Sequence, residues 1–112
     1  MKKTDKKIER QIVDALTDVC ELALDDVIGF RWLTHSVNYK MVNRSLKITC
    51  VFENDELLTQ SLAVGSCERL VLLIRTHLKQ VDIALDADEQ IVFDTEQACQ
   101  REHAGNWKKR LS

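Results

Sequence analysis

From Ser45 to Glu53, Leu46, Ile48, Cys50 and Phe52 alternate without a break with Lys47, Thr49, Val51 and Glu53. Successive side chains of an extended strand point to opposite faces, so this stretch is read as a strand with one wholly apolar face. Such a face needs a partner strand beside it and a helix or second sheet over it, and the neighbouring segments are read as supplying both. Phe30 to Tyr39 is rich in aromatic and β-branched types and follows Gly29, which suits the left-handed position after a helix. With Lys40 to Arg44 as the loop, the two strands form a hairpin. Burial sets its register: Leu33, His35 and Val37 face the core beside Leu46, Ile48, Cys50 and Phe52. Phe30, Trp32, Thr34 and Ser36 then share the other face with Lys47, Thr49 and Val51. Left uncovered there, Phe30 and Trp32 make an apolar contact surface.

Upstream, Ile8, Ile12, Leu16, Val19, Cys20, Ala23 and Val27 recur at helical spacing behind a capping Thr4 or Asp5. The polar side of this helix carries Asp14, Asp18, Glu21 and Asp25 along one ridge. Acids toward a helix C-terminus oppose its dipole and repel one another. A solvated face is the plain reading. The functional one is a docking ridge for a basic partner, such as a basic terminus of a second copy.

Downstream, Asn54 or Asp55 caps a short helix through Ala63, Gly65 stops it, and Cys67 to Gln80 forms the most apolar helix, expected to lie across the sheet. Val81, Ile83 and Leu85 alternate like a short strand, and Ile91 to Phe93 reads as another. Asp94 stands three residues before Gln97, a capping-box spacing that starts a last helix from Thr95 to about Ala104. Gly105 ends it, and a basic tail from about residue 106 follows. The expected fold is therefore α+β, a two-layer sandwich with a mainly antiparallel sheet built on the hairpin. At 112 residues the chain reads as one domain, without linker composition or internal repeats, and the complete lack of proline has no functional reading.

The four cysteines (Cys20, Cys50, Cys67, Cys99) form no C-x-x-C pair. With no signal-peptide pattern and no long apolar run, reduced thiols in a cytoplasmic protein are expected, and no membrane partner. The net charge of −2 is segregated: residues 1–10 and 101–112 each carry +3, and residues 11–100 carry −8. Glu96, Cys99 and His103 fall on one helical face, and a Cys-x-x-x-His pair with a carboxylate offers Zn²⁺ three ligands. Cys50, His35 or His77 would supply a fourth. No cofactor is expected beyond that metal reading, and a partly buried Cys beside solvated polar groups is the plain alternative. Cysteine and histidine would also serve a thiol enzyme, though no local signature marks one thiol as activated. His35 and His77 read as core imidazoles satisfied by hydrogen bonds.

A hairpin nuclease is set aside, because Ser45 stands where the acid two places before Lys47 belongs. Three isolated glycines exclude a phosphate loop. Trp107, Lys108, Lys109 and Arg110 form a nucleic-acid candidate, since clustered positive charge binds phosphate and an aromatic stacks on bases. The acidic body and a pI near 5.9 weigh against it.

The runs LTHSVNY (Leu33 to Tyr39), SLKITCVF (Ser45 to Phe52) and GNWKKRL (Gly105 to Leu111) resemble those of a small gamma-proteobacterial family of about this length, whose members are sometimes labelled Fis-family transcriptional regulators. That label implies a helical dimer ending in a helix-turn-helix. The hairpin and the short tail of this chain depart from that pattern, so no DNA contacts are carried over. The expected function is that of a small intracellular protein-interaction or regulatory domain, bound to a protein partner or to itself. Nucleic-acid binding through the basic termini and a metal- or thiol-dependent enzyme are the alternatives.

Overall fold

The computed structural model describes residues 2–112, which form six α-helices and three strands. Helix α1, Lys3–Asp26, buries Ile12, Ala15, Leu16, Val19 and Ala23 along its apolar stripe. It begins just ahead of the expected caps, so Thr4 and Asp5 lie in its first turn. The chain reverses at Gly29, whose φ of +87° belongs to the left-handed region. A Cβ there would stand 2.7 Å from the Cβ of Leu57, so glycine is required for space as well as for backbone.

Strand β1, Phe30–Ser36, and strand β2, Lys47–Phe52, pair antiparallel with Leu33 opposite Cys50 and His35 opposite Ile48. This is the register expected from burial, with one correction. A bulge between Phe30 and Trp32 inserts Arg31, which turns Phe30 onto the core face opposite Phe52. Phe30 is 4% exposed and meets the Phe52 ring edge-on at 6.0 Å, so it is a core residue and offers no contact surface. The hairpin loop contains a single helical turn, α2, Val42–Ser45. The Ser45 hydroxyl ties its ends together, accepting from the Asn38 N–H at 2.8 Å and donating to the Asn38 carbonyl at 3.0 Å.

Helices α3, Asp55–Ala63, and α4, Ser66–Lys79, connect β2 to strand β3, Ile91–Thr95. β3 lies parallel to β2, so the sheet is mixed, in the order β1-β2-β3. Asn54 caps α3 by accepting from the Leu57 N–H. The segment Val81 to Leu85 is a turn, not the expected strand. Ile83 N–H reaches back to the Leu78 carbonyl and Asp82 N–H to that of Lys79, with Asp82 left-handed at φ +63°. This Schellman closure buries Ile83 beside Leu78, and it yields apolar-polar alternation without any strand.

Helices α1 and α4 pack on the face bearing Ile48, Cys50, Phe52 and Leu46, which completes the two-layer α+β arrangement. The other face is partly roofed by two short C-terminal helices, α5, Glu96–His103, and α6, Trp107–Leu111. Under them Val51 and Thr49 are buried. Thr95 caps α5 by accepting from the Ala98 N–H, so the expected Asp94/Gln97 capping box does not form. Gln97 instead accepts from the Asp55 N–H. Among the described residues no single helix is long and apolar enough to cross a membrane.

Candidate docking groove

The expected metal ligands are drawn to separate partners. Glu96 Oε1 accepts from Trp32 Nε1 at 3.0 Å, His103 Nδ1 accepts from Arg110 at 3.2 Å, and the Cys99 side chain is fully buried. Among the described residues, no three His, Cys, Asp or Glu side chains gather to hold a metal ion. Two of the thiols are equally unsuited to attack. Burial pushes Cys50 up to about 12 and Cys67 up to about 11, so both are protonated at neutral pH.

The basic tail is folded back rather than free. Trp107 packs edge-on against Trp32 with ring centroids 4.8 Å apart, and this contact partly covers the second expected surface residue, which stays half-buried. Arg110 grips Asp94 through two hydrogen bonds, 2.6 Å from Nε and 2.9 Å from NH2, and donates from NH1 to Glu102. Its charge is further stabilised there, chiefly by the Asp94 hydrogen bonds. Only Lys108 and Lys109 of the four remain exposed. Arg110 thus clasps α6 to β3.

A different place gathers unsatisfied surface. β1 is an edge strand, and between it and α1 runs an apolar groove of about 290 Å³ lined by Val13, Leu16, Thr17, Cys20, Leu33 and His35. The groove exists because α1 buries one stripe on the sheet, while the residues flanking that stripe hang over the strand's free edge. Val13 is 43% exposed and Leu24 53% exposed. Burial raises the Cys20 thiol, against the pull of a hydrogen bond from the Leu33 backbone and with a further push from Glu21. Burial also holds His35 below the usual imidazole range, against the pull of Glu9 on α1, so the ring is neutral at pH 7.

Asp14, Asp18, Glu21 and Asp25 run along the solvent side of α1, all exposed as the sequence indicated, and of the four Glu21 lines the groove. Among the described residues none of the four is in an ion pair, and neither are Lys2, Lys3, Lys6, Lys7 and Arg10 at the start of the same helix. His77 does not meet His35. It bonds the Leu73 carbonyl through Nδ1 at 2.9 Å and borders Asp18, Glu21 and Asp25 on the side of α1 away from the groove. Sequence reading found the ridge, but it missed the groove. The signal available was Val13, Thr17 and Leu24, which lie outside the buried stripe at helical spacing. Compared with protein-family models, with curated proteins and with solved structures, the chain matches none.

Proposed function

We propose that this protein acts as a small interaction domain, binding a protein partner in the groove between α1 and β1 and performing no chemistry of its own. The observation that carries this reading is the coincidence of three things: exposed apolar side chains of α1, the free edge of β1, and a row of unpaired carboxylates on α1 that reaches the groove at Glu21. An edge strand offers main-chain hydrogen bonds, apolar side chains offer burial, and charges at the rim select the partner. Four free cysteines suit a reducing compartment, which supports a cytoplasmic location.

The reading is tested by placing a photoreactive amino acid at Val13 in the groove, with Leu72, exposed on the outer surface of α4, as the control position. Irradiation in cells expressing the protein is expected to give an adduct of discrete mass from position 13 and none from position 72. Equal labelling from both positions, or none from position 13, removes the groove as a binding site.

A further inference from the structure

Resting on the groove as the docking site, we infer that its occupant is a second copy of this chain, with the two α1 helices side by side and antiparallel. Helix α1 is electrically bipolar. Residues 2–10 hold five basic and two acidic side chains, and residues 11–26 hold five acidic and none basic. This order is the reverse of what an isolated helix favours, because cations sit at the positive end of the backbone dipole and anions at the negative end. Nothing within the described chain offsets it, since neither end of α1 enters an ion pair. An antiparallel second α1 corrects both ends at once.

The geometry allows one dyad to serve both ends. Counting along the helix, a two-fold axis between Val13 and Thr17 brings Arg10 of one copy beside Glu21 of the other, twice over, and sets Lys6 level with Asp25. The groove residues Val13 and Thr17 lie on the same flank as Lys6 and straddle the axis, while Leu24, on that flank too, falls level with Lys7 of the other copy. A parallel arrangement would set like charges together and is disfavoured. A helix of 24 residues is about 36 Å long, and the adjoining strand edge widens the face it offers to a partner. The same symmetry closes the assembly at two copies, which leaves no sticky edge for growth.

Sedimentation velocity over about 1 to 500 µM protein tests this, with two variants, K6E/R10E and E21K/D25K, both altered only at exposed positions. The wild-type chain is expected to dimerise, with a dissociation constant rising at least about tenfold between ~0.05 M and ~0.5 M salt. Each variant alone is expected to be monomeric, with unchanged far-ultraviolet circular dichroism, and an equimolar mixture of the two to restore a dimer. Wild-type dimers that both variants form equally well, or a mixture that stays monomeric, overturn the antiparallel contact. A wild-type chain that is monomeric throughout removes the second copy. In that case, a Val13 adduct with a different protein would still uphold the docking groove, whereas no adduct would end both readings.

Discussion

At the scale of single residues, two positions show how local chemistry is dictated by neighbours far along the chain. Gly29 combines a left-handed backbone with a neighbour 2.7 Å from where a Cβ would stand. Gly29→Ala therefore incurs both left-handed strain and a clash, and is expected to lower unfolding free energy by about 2 kcal/mol or more in urea titration. His35 is held neutral by partial burial, with Glu9 opposing and Glu21 and Lys47 also near its ends of the groove. Its folded value lies below the unfolded one, so the unfolded chain takes up the proton first as the pH falls. Stability is unaffected by this group above about pH 7 and declines as the pH drops through about 6.5 and below. Urea midpoints measured at pH 7.5 and 5.5 are expected to fall in the wild type and to fall less in His35→Gln. Asp55, held below the usual carboxylate range by the Thr95 hydroxyl and then by Arg101, acts only at lower pH and so does not confuse that window.

At the scale of elements, the pieces legible in the sequence are those whose burial is periodic. Helix α1 and helix α4 each bury one face over several turns, and β2 keeps an unbroken apolar row toward the core even though its other face is also buried, so the pattern survives inspection of the sequence alone. Three things did not. The Arg31 bulge changes which way Phe30 points without changing composition, and only pairing reveals it. Val81 to Leu85 alternates because a Schellman turn buries Ile83 beside Leu78, a second physical route to the same pattern. The α6 clasp depends on Arg110 reaching Asp94 sixteen residues away, which no local spacing announces. Arg110 and Asp94 are both mostly buried, with side chains 15% and 19% exposed, so removing one leaves the other poorly solvated. Arg110→Ala is expected to cost about 2 kcal/mol and to release α6 from the sheet. The near-ultraviolet circular dichroism of the Trp32–Trp107 pair is expected to collapse with far-ultraviolet helix content nearly unchanged. A retained tryptophan signal would show that α6 docks without the clasp.

At the scale of the whole molecule, the thiols divide the protein into an accessible rim and a closed interior. Cys20 is half-buried in the groove, while Cys50, Cys67 and Cys99 are enclosed. Alkylation of the native protein is expected to modify one cysteine readily and the other three only at the rate of global unfolding, read by intact mass over time. Rapid loss of a second thiol would show that one of the enclosed regions opens by itself. The interior is also knit across its layers by Gln90, whose amide donates to the carbonyls of Asn43 and Leu46 at 2.8 and 2.9 Å and so fastens the hairpin loop to the approach of β3. That approach matters for time as well as space. β1 and β2 adjoin through a short loop, whereas β3 must return across two helices before it can pair in parallel with β2. Closing so long a loop is slow, so the hairpin and α1 are expected to assemble ahead of β3. Because the clasp has its anchor on Asp94 of β3, the cover over Trp32 and Val51 needs that strand in place, and the face that α5 and α6 roof is expected to be the last to close.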